Sequence, residues 1–320
     1  MATANIRRIE LLDGKVTGIA VDPPGKVRGP LIVHLHGGGS NCSETVRKEF
    51  SILGLAADLG FPGVGLNRPG YAGSEWLDIP GTQDEGLYDA SAKRIGDALT
   101  DLWGQYEDEE GCAGIVLMGC SVGSPVSFMI ATRWAAGEPG WTWPLLGVAA
   151  TDVGHVPMPG IPELWNSSPV ADFIEDLDVL VDQIEFGPEW ARVAPPETHE
   201  DNPVDDSLIV GHSTLSRSEA LEIGGGWPRE ALKIASQVTV PVYWRVGEFD
   251  PLWTSEPEVV AEFISALRTS SPYVDGGAMQ GASHAIHDGP LRRHMVLQAL
   301  AFVELCGAAQ RVPQILERRE

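Results

Sequence analysis

The sequence predicts an α/β protein: a mostly parallel central sheet flanked by helices, with an inserted cap between the sixth and seventh strands. Three observations carry this expectation. Short apolar runs alternate with helix-like segments along most of the chain, the pattern of strands joined by crossover helices. Glycine-bearing loops directly follow several of those runs, at 36–39, 67–74, 119–123, 247–250 and 281–284. Between residues 151 and 230 the alternation stops.

The elements follow in order. Residues 6–12 and 15–22 are β-prone runs around Asp13-Gly14, a hairpin signal, and Pro23, Pro24 and Gly25 end the pair. Leu31 to Leu35 reads as a buried strand leading into His36-Gly37-Gly38-Gly39. Consecutive glycines there let the backbone turn its N–H groups toward a bound group without interference from Cβ atoms. Residues 41–60 fit a helix capped by Ser43, with Phe50, Leu53, Leu55 and Ala56 on its apolar face. Phe61 to Leu66 is the next strand and ends in Asn67-Arg68-Pro69-Gly70-Tyr71-Ala72-Gly73-Ser74. Residues 85–107 suggest a helix, because Ile95, Leu99, Leu102 and Trp103 fall on one face. Ile115 to Met118 forms a strand that breaks into Gly119-Cys120-Ser121-Val122-Gly123, before a helix across Val126 to Trp134 and a sixth strand at 145–150.

Residues 151–230 mix prolines, tryptophans and acidic residues, with a helical stretch at 173–184. A connection this long, carrying this many apolar residues, folds into a cap over the strand ends. Order resumes with Val238 to Val246, a strand ending in Gly247-Glu248-Phe249-Asp250, then a helix over Glu256 to Leu267. Residues 272–280 supply the last strand, followed by Gly281-Ala282-Ser283-His284 and a closing helix at 291–306. The expected division is therefore a core of 1–150 and 231–320 with a cap of 151–230.

Composition narrows the function classes. Of 320 residues, 43% are hydrophobic and 21% charged, the balance of a soluble globular protein. Acidic residues outnumber basic ones 45 to 22, a net charge of -23. Such a field repels nucleic acid and anionic membrane surfaces, so neither is an expected partner. No apolar stretch approaches the roughly 18 residues of a membrane helix, and no secretory signal is visible, so a cytoplasmic location is expected. Cys42, Cys112, Cys120 and Cys306 are scattered without C-x-x-C spacing. They are expected to be free thiols, and no cofactor or metal is expected.

The chemistry centres on Ser121. A serine in a sharp strand-to-helix turn takes a strained backbone conformation, and the residues two before and two after it must be small to let strand and helix pass. Gly119 and Gly123 meet that demand. A serine hydroxyl is a poor nucleophile and needs a base within hydrogen-bond reach. Histidine suits the task with an ordinary pKa of about 6.5, and a carboxylate fixes its tautomer. A parallel sheet with right-handed crossovers brings all its C-terminal strand ends to one edge, and Ser121, Asp250 and His284 all lie just beyond such ends.

Taken together, the glycine loop, Arg68-Pro69-Gly70-Tyr71-Ala72-Gly73-Ser74, Gly119-Cys120-Ser121-Val122-Gly123, Gly247-Glu248-Phe249-Asp250 and Gly281-Ala282-Ser283-His284 make the chain resemble α/β-hydrolase fold proteins over essentially its whole length. The resemblance implies Ser121 as nucleophile, Asp250 as orienting acid and His284 as general base. It further implies an oxyanion hole from the backbone N–H groups of Gly38 and Val122, with Gly39 as the nearby alternative. Glu248 and Asp152 are competing acids. His287 is expected at the surface or against the cap, His34 and His36 as structural residues, and Cys120 in the core. The tryptophans at 141, 143, 165, 190, 227 and 253 are candidates for an apolar pocket, Trp253 first, or simply for core. The implied activity is serine-dependent hydrolysis of an ester, thioester or lactone of a small to medium apolar substrate. Acyl transfer, cyclisation or elimination by the same residues is the alternative, and a non-catalytic ligand-binding member is a third. Epoxide and haloalkane hydrolases of this fold place a carboxylate where Ser121 stands.

Overall fold

Parallel strands covered on both faces need continuous apolar runs, whereas edge strands need not. That distinction sorts the strands of this protein. The computed structural model describes residues 4–46, 51–77, 86–163, 173–174, 215–284, 286–287 and 289–316. An eight-stranded sheet forms from β1 (Asn5–Leu11), β2 (Val16–Asp22), β3 (Leu31–Leu35), β4 (Gly63–Leu66), β5 (Ile115–Cys120), β6 (Leu145–Thr151), β9 (Val242–Gly247) and β10 (Val274–Met279). A separate two-residue pair, β7 (Phe173–Ile174) and β8 (Leu215–Ser216), lies between β6 and β9 in the chain. Every residue of β3, β5 and β6 is buried, while β10 at the edge is largely half-exposed.

The strand order is β1-β2-β4-β3-β5-β6-β9-β10. β1 and β2 are antiparallel, as are β2 and β4, and the other neighbours are parallel. The carboxyl ends of β3, β5, β6 and β9 therefore share one edge, where ligands of open α/β sheets bind. The helices are α1 (Ile52–Leu59), α2 (Leu87–Trp103), α3 (Gly123–Ala135), α4 (Arg217–Leu221), α5 (Trp227–Ser236), α6 (Pro257–Leu267) and α7 (Arg292–Arg311). α2, α3, α5 and α6 cover one face over a core containing Leu99, Phe128, Trp227 and Phe263; α1 and α7 cover the other over Leu53, Met118, Ala149 and Val303. Each fully buried leucine, valine, methionine or phenylalanine among these contributes about 1.5–3 kcal/mol, so both layers hold the edge on which the site is built. Among the described residues, no helix is long and apolar enough to cross a membrane.

Several boundaries differ from expectation for local reasons. The helix expected across 41–60 begins as a 3-10 turn, Cys42–Val46, and α1 is capped by Ser51, whose Oγ accepts from Gly54 N at 2.9 Å. Ser43 instead donates from N and Oγ to Asn41 Oδ1, at 3.0 and 2.6 Å. Val238 to Val240 stay out of the ladder: Val238 N closes the end of α5 on Ala235 O, and β9 starts only after Pro241, which has no N–H to give. α7 runs on to Arg311, beyond the expected 306. Phe173 and Ile174 are strand rather than helix, and the remainder of the helix expected at 173–184 lies outside the described residues. So does most of the insertion assigned to 151–230, including Trp165 and Trp190.

Candidate active site

Close approach fixes the turn after β5. A Cβ on Gly119 would stand 2.6 Å from Gly123 O, and one on Gly123 would stand 2.1 Å from Leu35 O. Both are far inside contact distance, so neither position accepts a larger residue without moving the strand. Ser121 sits between them at φ 48, the left-handed region that non-glycine residues seldom occupy. The strain is held from both sides: Ser121 N donates to Thr151 O at 2.9 Å, and Ser124 N donates to Ser121 O at 2.9 Å. Ser124 Oγ also donates to Thr151 O at 2.8 Å, pinning the first turn of α3 to β6.

The residues expected from the sequence converge on this serine. His284 Nε2 lies 3.0 Å from Ser121 Oγ, and His284 Nδ1 lies 2.9 Å from Asp250 Oδ2. Asp250 is completely buried at its side chain, and its other oxygen, Oδ1, accepts from Leu252 N at 2.8 Å and Trp253 N at 3.2 Å. Those two donors fix the carboxylate's rotation. Because Nδ1 faces a carboxylate, it carries the proton, which leaves Nε2 with the lone pair aimed at the hydroxyl. Burial disfavours the charged imidazole, but the Asp250 carboxylate and, more weakly, Asp152 outweigh it, and the His284 pKa is raised above 6.5.

The competing acids have other tasks. Glu248 Oε2 accepts from Gly281 N at 2.8 Å and so secures the turn leading to His284. Asp152, fully buried at φ 60, accepts Ile286 N on Oδ1 at 2.9 Å and so anchors the far side of the histidine loop. His287 is not a simple surface residue, since its Nδ1 lies 3.1 Å from Cys120 Sγ. Cys120 is buried, as expected.

The glycine loop is held by a partner the sequence did not reveal. Arg68, 1% exposed, donates from Nε to His36 O at 2.9 Å and from Nη2 to Gly37 O at 3.0 Å. Arg68 N donates to His36 Nε2 at 3.1 Å, so the proton of His36 sits on Nδ1 and is given to Gly37 O at 2.8 Å. Burial and then the Arg68 charge hold the His36 pKa well below 6.5, which keeps this tautomer neutral. Gly37 O is thus fixed twice. In a trans peptide the N–H points opposite to the C=O, so the N–H of Gly38 is directed away from Arg68. A Cβ on Gly38 would fall 2.9 Å from Leu215 Cδ1 and 3.4 Å from Val122 Cγ2, which puts Gly38 beside Val122. Neither Gly38 N–H nor Val122 N–H forms a hydrogen bond among the described residues.

Arg68 is in turn bound to Glu219 of α4, which also accepts from Tyr71 OH. Tyr88 OH donates to Glu219 O at 3.0 Å, and Glu222 caps α2 by accepting Leu87 N at 2.8 Å. The segment that follows β8 is therefore fastened beside the glycine loop. The Arg68 and Glu219 side chains are 1% and 5% exposed, and removing one partner of a buried pair leaves an uncompensated charge costing about 3–5 kcal/mol. Glu219→Ala is accordingly expected to lower unfolding free energy by about that amount in urea titrations; a loss near zero would show that the pair does not brace the loop. Arg68 was visible only as part of a turn motif, and Glu219 carried no sequence signal.

The candidate tryptophans among the described residues are mainly core. Trp143, 1% exposed, donates to Gly96 O, and Trp141 packs against Gly96 of α2. Trp227 and Trp253 are 0% and 1% exposed, with Trp227 Nε1 bonded to Gly154 O.

The chain matches no protein-family model and no curated protein by sequence. Its likeness to solved structures is strong. A lipase in its open form superposes with a TM-score of 0.64 at 17% identity, covering 95% of this chain and 99% of that one. A thermostable carboxyl esterase from Bacillus coagulans gives 0.63 at 18% identity, covering 96% and 100%. An epoxide hydrolase from Vigna radiata gives 0.56 at 13% identity, covering 95% and 98%. The chain has the α/β-hydrolase fold.

Proposed function

We propose that the protein is a serine hydrolase that cleaves an ester, thioester or lactone of a small to medium apolar substrate through an acyl-enzyme on Ser121. The observation that carries this reading is the unbroken hydrogen-bond chain from Asp250 through His284 to Ser121 Oγ, mounted on a strained turn. Fold likeness to a lipase and a carboxyl esterase supports it only generally, since the same fold hosts other reactions.

His284 Nε2 takes the proton as Ser121 Oγ attacks the carbonyl carbon. The negative oxygen of the tetrahedral intermediate is held by the N–H groups of Gly38 and Val122, with Val122 at the start of α3, where the helix dipole favours negative charge. Collapse expels the alcohol or thiol, which takes the proton from His284. Water, deprotonated by the same imidazole, then attacks the acyl carbon and frees Ser121. Asp250 stabilises the imidazolium at both stages. A donor lost from the oxyanion site typically costs about 10²–10³-fold in rate, so the bracing of Gly37 by Arg68 belongs to the same account.

Because His284 must be neutral to accept the serine proton and its pKa is raised, kcat/KM is expected to fall on acidification with a midpoint above pH 6.5. A pH–rate profile on p-nitrophenyl butyrate checks this, and a midpoint below 6.5 would contradict the assignment of His284 as base. Turnover in ¹⁸O-labelled water tests the reaction class. Label in one oxygen of the released acid is the expected result; unlabelled product would mean acyl transfer or elimination, and absence of turnover across short acyl esters and thioesters would favour a binding protein.

A further inference from the structure

Behind Ser121, on the face of β5 that α1 and α7 cover, lies a cluster that the proposed hydrolysis does not use. Cys120 Sγ lies 3.1 Å from His287 Nδ1 and 3.5 Å from Asp152 Oδ2, and those two atoms are 3.8 Å apart. Cys120 and Asp152 are 3% and 0% exposed, whereas the His287 side chain is 19% exposed and gives the cluster a path to solvent. A cavity of about 50 Å³ adjoins it, lined also by His34, Glu44, Thr151 and Arg292. His34 Nδ1 has no hydrogen-bond partner among the described residues and stands 3.6 Å from Glu44 Oε1 in the same cavity.

Two other readings of the cluster fit it less well. A second nucleophilic relay needs the thiol on one ring nitrogen and the carboxylate on the other. Here Asp152 and the thiol address the same Nδ1, Glu44 Oε2 stands 3.9 Å from Nε2, beyond hydrogen-bond reach, and burial pushes the Cys120 thiol up, away from a reactive thiolate. A plain hydrogen-bond cluster accounts for the short Cys120–His287 contact but leaves Asp152 Oδ2 at 3.5 Å from sulfur and 3.8 Å from nitrogen, at or beyond ordinary hydrogen-bond length to nitrogen. A cation satisfies all three. Tetrahedral bonds of about 2.3 Å to sulfur and about 2.0–2.2 Å to nitrogen and oxygen put ligand atoms about 3.4–3.6 Å apart, and the observed separations bracket that range. Thiolate with imidazole and carboxylate is the donor set of zinc-like ions rather than of magnesium or calcium.

We propose that Cys120, Asp152 and His287 bind one thiophilic divalent cation of the Zn²⁺ class, with its fourth position open to the cavity that holds His34 and Glu44. On binding, the S–H bond of Cys120 breaks, a metal–sulfur bond forms and the proton leaves to solvent. The ion would sit one residue from Ser121. It would also hold the loop bearing His284, because Asp152 already accepts the Ile286 N–H. Cysteine spacing, on which the expectation of no metal rests, does not register a set whose members lie at the end of β5, after β6 and in the loop beyond β10. The proposal is independent of the hydrolase reading.

The test uses the full chain, stripped with a chelator and titrated with Co²⁺, in both the wild type and Ser121→Ala, so that catalysis plays no part. The expected result is one equivalent bound, with a thiolate-to-cobalt charge-transfer band in the near ultraviolet that Zn²⁺ abolishes by displacement. Cys120→Ser is expected to lose the band, and His287→Gln to weaken Co²⁺ binding at least about 10-fold, each with the far-ultraviolet circular dichroism of the wild type. Should Cys120→Ser not fold, Cys120→Ala takes its place. Cys42, Cys112 and Cys306 remain as internal controls in every variant. No charge-transfer band in the wild type, a band that survives loss of Cys120, or unchanged affinity in His287→Gln would overturn the proposal.

Discussion

Ser121→Ala is expected to lower kcat by roughly 10⁵- to 10⁶-fold, the scale seen when the nucleophile of such a relay is removed. Neither Cys120 nor Ser124 replaces it. Cys120 is adjacent in sequence but buried behind the strand, and Ser124 Oγ is committed to Thr151 O at 2.8 Å. The fold should survive, because the bonds that hold the turn run through the backbone of Ser121 rather than its hydroxyl. Steady-state assay on p-nitrophenyl butyrate, with a thermal melt alongside, checks both halves. A well-folded variant that keeps more than about one hundredth of the activity would remove Ser121 from the mechanism, since that is the range in which auxiliary groups act.

Asp250→Asn is expected to cost about 10⁴-fold in kcat, and the reason lies in two backbone donors. Leu252 N and Trp253 N hold Oδ1 at 2.8 and 3.2 Å, so an asparagine would keep its oxygen there and turn its amide nitrogen toward His284. Nδ1 would have to accept, and the proton would move to Nε2, the nitrogen that faces Ser121. The imidazole would be held in place as the wrong tautomer. Loss of the carboxylate also removes the charge that raises the His284 pKa, so the acid limb of kcat/KM should move to lower pH. A variant with near wild-type kcat, or with an acid limb shifted upward, would leave Asp250 without the orienting role.

Much of this was legible in the residues because it depends on local steric demands. The two glycines flanking Ser121 are required by a strand and helix that nearly touch, and that requirement is written in sequence. Leu31 to Leu35 is apolar at successive positions save His34, because the strand is covered on both faces. The order of serine, acid and histidine was legible once each was placed beyond a strand end. What stayed hidden depends on tertiary meetings. Ser43 is a good cap on paper, but Asn41 takes it and α1 is capped by Ser51 instead. Arg68 meets Glu219 across a long stretch of chain, and periodicity says nothing of that. The tryptophans looked suited to a pocket because they are large and aromatic, yet Trp143, Trp227 and Trp253 fill the core. His287, one helical turn from His284 in sequence, reaches Cys120 because the loop anchored by Asp152 folds back beneath the strand end.

The central claim is that Ser121 is activated by His284, and covalent labelling tests it most directly. The intact protein treated with a fluorophosphonate and mapped by peptide mass spectrometry should carry one phosphonate on the peptide containing Ser121, with labelling lost in Ser121→Ala and strongly slowed in Asp250→Asn. A folded protein that leaves Ser121 unlabelled, or one whose label persists in Ser121→Ala, would contradict the account.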